Sequence, residues 1–261
     1  MTDIRITQIT DLHLGATEAE TLGGVRTDDS FLSVLQDAGH RGRADDLLLL
    51  TGDLASNCQP QAYRRLNQVL TENNRRAVWL PGNHDDVDLM IQELSNYPRV
   101  RVLDLNTWGI LLIDSSQPGK PGGRVLEDEL LLAQQGLEQL SGKHVLVAMH
   151  HSPALLDSAW LDKQRIENQQ QLYDILAAHD GVKAVVTGHV HQEFDGRWGD
   201  FALYSTPSSC VQFKKYSDDF ALSDNPPGYR WFDLYADGSI ATGIQYLKGF
   251  AQRPNRSCVG Y

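Results

Sequence analysis

Residues 76–86 read RAVWLPGNHDD. A short apolar burst from Ala77 to Leu80 runs into Pro81-Gly82, and three polar residues, Asn83, His84 and Asp85, follow at once. A burst this short, ended by a turn, reads as a buried strand that delivers polar side chains at its end. The same form recurs outward along the chain, in DIRITQITDLH (3–13), DLLLLTGD (46–53), GILLIDSS (109–116), HVLVAMHH (144–151) and VKAVVTGHVH (182–191). Residues 3–9 add alternation and β-branched side chains, which also suit a strand.

Helical spacing fills the intervals. SFLSVLQDA (30–38) opens on Ser30 as a cap, and residues 60–72 open on Pro60 and set Tyr63, Leu66 and Leu70 on one face. Residues 127–140 and 165–178 carry the same spacing. Strand followed by helix, repeated, predicts an α/β layered fold. Beyond residue 200 the pattern changes to short strands, FALYST, CVQF, YRWFDLYADG and SIATGIQYL, with Tyr235 to Gly238 as a hairpin turn. No internal repeat or low-complexity linker breaks the chain. One domain is expected over 1–261, with a polar surface loop at 214–228 and a polar tail at 251–261.

The chain has 261 residues, 41% of them hydrophobic, enough for one substantial core. Its formal net charge of −11 disfavours broad contact with nucleic acid or anionic membrane. A small anionic substrate remains compatible if a local site supplies positive charge, as a metal ion would. Cys58, Cys210 and Cys258 are few, widely spaced and free of any CxxC pattern, which suits free thiols in a reducing cytoplasm. The first residues lack a signal-peptide pattern, and no apolar run approaches the ~20 residues of a membrane span.

The polar residues at the strand ends form a set: Asp11, His13, Asp53, Asn83, His84, His150, His189 and His191. In open α/β sheets the carboxyl ends of strands share one edge, so these residues are expected to converge. They offer oxygen and imidazole nitrogen donors without thiolate, a mix that suits Mn, Fe, Zn or Mg. In an extended segment, D-x-H and H-x-H would each place two side chains on one side. A single Asp can bridge two ions, and two ions can clamp a phosphate.

DLH, GD, GNHD, H and GHVH, in this order over residues 11–191, resemble the calcineurin-like metallophosphoesterase family. Each motif alone is weak, and the ordered set is specific. TPSSCVQF (206–213), PGYR (227–230), WLD (160–162), LGGVRT (22–27) and the ending VGY further resemble the bacterial class III cyclic-AMP phosphodiesterases. Ser209 stands where that subgroup reads Thr, a change that keeps the hydroxyl.

The resemblance implies an α/β layered sandwich, with two central mixed β-sheets flanked by helices (αββα). It implies two metal ions of Fe, Mn, Zn or Mg type and no other cofactor. Asp11, His13, Asp53 and His191 would hold one ion, and Asp53, Asn83, His150 and His189 the other. His84 would be the catalytic residue at the phosphate, its ring suited to proton chemistry near neutral pH. His13, Asp53, Asn83, His84 and His191 would contact the substrate. The implied reaction is hydrolysis of 3′,5′-cyclic AMP to 5′-AMP by a metal-bridging hydroxide, in the cytoplasm. The partner is a small-molecule cyclic nucleotide, without nucleic acid or membrane; the oligomeric state stays open, a homodimer included.

Other readings compete. The same site serves broader phosphodiesterases, phosphomonoesterases and nucleases, and fold alone does not choose among them. The segments TPSSCVQF and PGYR and the chain's tail favour a nucleotide, and the acidic balance disfavours a nuclease. A non-catalytic scaffold would be expected to have lost ligands, and here every motif position holds a usable donor. His151 is expected behind the ligands, and Asp85 as a carboxylate orienting a histidine. His40, His144 and His179 read as surface residues, Asp114 as a cap or loop residue, and Cys210 as a small buried apolar residue. Arg124 and Arg230 are each open to a phosphate or to solvent.

Overall fold

A computed structural model of the chain describes residues 4–42, 46–258 and 260. Asp3 of the first predicted strand, and Val259 and Tyr261 of the VGY ending, lie outside them. In chain order the elements are β1 Ile4–Ile9, β2 Thr21–Leu22, β3 Val25–Arg26, α1 Thr27–Arg41, β4 Leu47–Thr51, α2 Pro60–Glu72, β5 Arg76–Leu80, α3 Val87–Glu93, β6 Val102–Leu105 and β7 Trp108–Leu112. There follow α4 Glu127–Gln139, β8 His144–Ala148, α5 Ala159–Asp162, α6 Gln169–Ala177, β9 Val182–Thr187, β10 Phe194–Trp198, β11 Phe201–Ser205, β12 Gly228–Leu234 and β13 Ile240–Tyr246.

Two mixed sheets face each other. One has the order β13-β12-β1-β4-β5 and the other β10-β11-β9-β8-β7-β6, with β2 and β3 as a separate ribbon. The run LLLLT in β4 shows why the bursts are continuously apolar. Leu47 and Leu49 point into the core between the sheets, beside Ile6, Leu146 and Val186. Leu48 and Leu50 point the other way, to Phe31, Tyr63 and Leu66 of α1 and α2. A strand covered on both faces needs no polar alternation. Helices α4 and α6 cover the outer face of the second sheet through Leu130, Leu137, Leu172 and Leu176. The layers are therefore helix, sheet, sheet, helix, as expected. β1, β4 and β5 run parallel, as do β7, β8 and β9, so their carboxyl ends meet at one edge.

Several local expectations change. α1 begins at Thr27, and Ser30 lies inside it, buried, with its hydroxyl donating to the Ser209 carbonyl rather than capping. Asp28 and Asp29 in the first turn, favoured there by the helix dipole, mark the true start. CVQF forms no strand; Phe213 alone bridges to Leu222. The helix expected at 165–178 is trimmed to α6 Gln169–Ala177, because residues 165–168 run as a loop that buries Ile166 alone. α3 was not anticipated, although Asp86 is an N-cap that accepts from the Leu89 amide at 3.0 Å. The hairpin turn forms as expected: Gly238, at φ +85°, donates to the Tyr235 carbonyl at 3.0 Å.

Candidate metal centre

Asp11 and His13 follow β1, Asp53 follows β4, and Asn83 and His84 follow β5; His150 follows β8, and His189 and His191 follow β9. All stand past the ends of parallel strands. Strand alternation does not aim them. Asp11, His13, Asp53, His189 and His191 have φ of +55°, +49°, +50°, +68° and +46°. Left-handed backbone at a non-glycine residue costs on the order of 1–2 kcal/mol, and it clusters where function over-determines the chain. Leu12 and Val190, the middle residues of D-x-H and H-x-H, are buried. Each pair thus turns outward around an apolar pin.

Asp11, His13, Asp53, His150, His189 and His191 are buried, while Asn83 and His84 are half-buried. His13 Nε2 and His191 Nε2 are 3.2 Å apart, and His191 Nε2 is 3.3 Å from Asp11 Oδ1. Asp53 Oδ2 stands 3.7 Å from His13 Nε2 and 3.3 Å from His150 Nε2. One carboxylate oxygen thus lies between two imidazole clusters. His189 packs its ring against those of His150 and His151, at 5.2 and 4.5 Å between centroids.

Backbone carbonyls fix which nitrogen each imidazole presents. His150 Nδ1 donates to the Thr51 carbonyl at 2.7 Å, His191 Nδ1 to Val211 at 2.8 Å and His84 Nδ1 to Ser56 at 2.9 Å. Each Nε2 is then the atom for a ligand or substrate. His151 differs, because Nε2 donates to the Pro121 carbonyl at 3.2 Å and Nδ1 accepts from the Ser115 hydroxyl at 2.9 Å. Both its nitrogens are occupied, so it braces the loop 115–121. Asp53 Oδ1 accepts from the His84 amide at 2.9 Å, which leaves Oδ2 for the cluster. A Cβ on Gly82 would strike the Asp53 carboxylate and amide, and one on Gly52 (φ +94°) would strike His150. The glycines of PGN and TGD are there for close approach.

Beneath the site Gln8, wholly buried, donates to Thr51 Oγ1 at 2.8 Å and the Thr187 carbonyl at 3.0 Å, and accepts from Thr206 Oγ1 at 2.6 Å. It joins the two sheets where they deliver their candidate ligands. Asp85 orients backbone rather than a histidine. Its carboxylate accepts from the amides of Leu54, Ala55 and Gly82 and from the Tyr63 hydroxyl. Gln8 and Tyr63 had no motif; a Gln inside a β-branched strand and a Tyr on a core helix face are the faint signals that each carried.

The electrostatics suit cations. Burial alone would raise Asp11 and Asp53, yet the surrounding imidazoles, His191 and His150 foremost, hold both carboxyls low. Burial pulls His150 down, but Asp53 and Asp11 override it and push it up to about 9. Burial keeps His13 and His151 neutral, each at about 3. Asp53 Oδ2, Asn83 Oδ1, His150 Nε2 and both ring nitrogens of His189 are buried without a hydrogen-bond partner. Imidazole nitrogens, a carboxylate and an amide oxygen converge as a donor set that a borderline or hard cation satisfies, with the His150 proton displaced on binding. The separations of 3.2 and 3.3 Å also match the ~3 Å between neighbouring ligands that each sit ~2.1 Å from one ion. The residues therefore fit the metals that the resemblance implies. A cleft of about 490 Å³ opens beside Asn83, walled in part by Cys58, Asp86, Ser116, Gln117 and Pro118.

Other singled-out residues lie apart. Arg230 is wholly buried, meets neither phosphate site nor solvent, and pairs with Asp195. Arg124 is held loosely by Glu167 at 3.4 Å. Asp114 accepts from the Ser116 amide and from Arg99, a loop role. Cys210 is buried as expected, His40 is exposed, and His144 and His179 are half-buried. TPSSCVQF and PGYR are almost wholly buried, so they do not offer a nucleotide-binding surface.

The chain matches the calcineurin-like phosphoesterase family over residues 4–193. It is 36% identical to the 3′,5′-cyclic adenosine monophosphate phosphodiesterase CpdA of Escherichia coli K12, over 99% of this chain and 95% of that one. It is 36% identical to a 3′,5′-cyclic-nucleotide phosphodiesterase of Nostoc, over 93% and 92%. Among solved structures, a dimetal phosphatase from Danio rerio superposes with a TM-score of 0.60 at 14% identity, over 89% of this chain and 95% of that one.

Proposed function

The chain belongs to the calcineurin-like phosphoesterase family, and from that premise we propose that it hydrolyses 3′,5′-cyclic AMP to 5′-AMP at a dinuclear metal centre. Near-full-length similarity to phosphodiesterases of that substrate class supports the choice of ester. The observation that carries the reading is Asp53 Oδ2, set between His13 Nε2 and His150 Nε2. Asp11, His13, Asp53 and His191 would hold one ion; Asp53, Asn83, His150 and His189 would hold the other. Donors without thiolate suit Fe, Mn, Zn or Mg. The three free cysteines fit a reducing compartment such as the cytoplasm, and no helix among the described residues is long and apolar enough to cross a membrane.

When bound, the ions supply positive charge to the phosphoryl oxygens and make water acidic enough to attack near neutral pH. The protein's own work is positional. The anchored imidazoles and the two buried carboxylates keep their donor atoms converged before substrate arrives, so little reorganisation is needed during reaction. Water adds to phosphorus, the P–O3′ bond breaks, and a proton passes to the 3′-oxygen, which stays on the ribose. His84 would serve that oxygen. Its Nδ1 proton is committed to Ser56, so its contact with the ester runs through Nε2. As a neutral ring, Nε2 accepts; as imidazolium it donates and can deliver the proton.

The test is an assay of metal-loaded protein on cyclic AMP, 2′,3′-cyclic AMP, bis(p-nitrophenyl) phosphate and p-nitrophenyl phosphate. Conversion of cyclic AMP to 5′-AMP is expected to lead the panel. A preference for the monoester would overturn the assignment.

A further inference from the structure

The segment TPSSCVQF, 206–213, links β11 to the loop before β12, and its buried position denies it a direct role at a substrate. Its contacts run instead to the backs of the ligand loops. Ser208 Oγ donates to the Asp11 carbonyl at 2.8 Å, and the Ser209 amide donates to Thr10 at 3.0 Å. The Gln212 side chain closes the segment on itself, accepting from the Ser208 amide at 3.0 Å and donating to the Ser208 carbonyl at 2.7 Å. At its far end Val211 accepts the His191 Nδ1 proton, and the Phe213 ring lies parallel to the His191 ring, 4.0 Å away at 8°. Trp160 and Phe220 brace Phe213 edge-on, at 5.0 and 5.5 Å between centroids.

A single hydrogen bond through Nδ1 fixes the tautomer of an imidazole but lets its plane swing about the N–O line. The Nε2 lone pair lies in the ring plane, so a swing carries it away from whatever it binds. A flat aromatic surface against one face removes that freedom, and stacking is favourable for an imidazole made electron-poor by a cation. We infer that residues 206–213 form a positioning strap for the Asp11–His13–His191 side of the centre, in which Phe213 sets the plane of the His191 ring. The inference rests on His191 being a ligand as proposed above.

The test is titration of chelator-stripped protein with Mn²⁺ by calorimetry, with bound metal counted after dialysis. Phe213→Leu keeps the apolar volume and loses the flat ring. Phe220→Leu removes one edge-on brace of Phe213 and leaves the Phe213 ring itself against His191. Phe213→Leu is expected to weaken one of two Mn²⁺ equivalents by about tenfold or more, and Phe220→Leu to leave both within twofold of wild type. Should Phe213→Leu not fold, Phe213→Met carries the same comparison. Equal weakening in the two leucine variants, or weakening in neither, overturns the inference while the metal site stands. A wild-type protein that binds no Mn²⁺ overturns the site reading and the strap together.

Discussion

The Tyr63 hydroxyl donates to Asp85 Oδ1 at 2.9 Å and accepts from the Asp86 amide at 3.1 Å. Through it, a core residue of α2 grips the loop that carries Asn83 and His84. Asp85 passes the grip on to the Leu54, Ala55 and Gly82 amides, which ties the loops after β4 and β5 together. Tyr63→Phe keeps the buried ring and removes both hydrogen bonds. It should cost about 1–3 kcal/mol of stability, read as a lower midpoint in urea. If the grip also holds the ligands, Mn²⁺ affinity should fall in the variant while its helix content stays at wild type.

Asp53 is proposed as the shared donor, between His13 and His150. Asp53→Asn should reduce kcat/KM on cyclic AMP by about 100-fold or more, and bound metal should fall below two equivalents. The stripped protein should melt lower than wild type, because the imidazoles that hold the Asp53 carboxyl low, His150 foremost, lose their buried partner. Low activity with both equivalents retained would remove Asp53 from the bridging position.

Much of this was legible before folding. The continuous bursts declared strands buried on both faces, and motif order placed Asp11, Asp53, Asn83, His150 and His189 at one edge. Three things were not legible. The left-handed backbone at His13 and His191 is set by tertiary packing, not by residue preference, so alternation was the wrong reason for a correct convergence. Gln8 and Tyr63 act through partners far away in sequence, in Thr187 and Asp85. CVQF read as a short strand, and TPSSCVQF favoured a nucleotide only through its resemblance, whereas the chain there pairs with carbonyls of other loops.

Removing the ions should cost stability as well as activity. Buried carboxylates and imidazoles crowd together at the centre, and cations that bind only the folded state stabilise it by mass action. Treatment with a chelator should abolish turnover and lower Tm, and Mn²⁺ or Fe²⁺ should restore both. Ca²⁺ prefers six to eight oxygen ligands, and a histidine-rich set should leave it ineffective. Restoration by Ca²⁺ would contradict the donor set described here.

Thiol chemistry separates the cysteines. Burial pushes the Cys210 thiol up to about 12. Thiolate is the reacting form, so at pH 8 only ~1 in 10⁴ of such thiols is ionised, before access is considered. Burial and the nearby Asp85, Asp86 and Asp53 also raise Cys58, although its side chain is exposed. With a disulfide reagent the native protein should release fewer than three equivalents quickly, and the Cys58 phase should quicken as pH rises. Cys210 should report only after denaturation.

Arg230 offers a sharper contrast between structure and function. Its guanidinium donates to the Ser205 carbonyl at 3.0 Å and to Asp195 at 2.5 Å, and it lies over the Tyr204 ring at 5.3 Å. It therefore reaches from β12 in one sheet to β10 and β11 in the other. Asp195 is mostly exposed, so the ion pair adds little, and the buried carbonyl's loss of its donor dominates. Arg230→Met keeps the stem's apolar contact and should cost about 1–3 kcal/mol, read as a lower midpoint in urea. KM for cyclic AMP should not change, because the guanidinium faces the seam between the sheets. A raised KM with unchanged stability would place Arg230 at the phosphate, against the packing seen here.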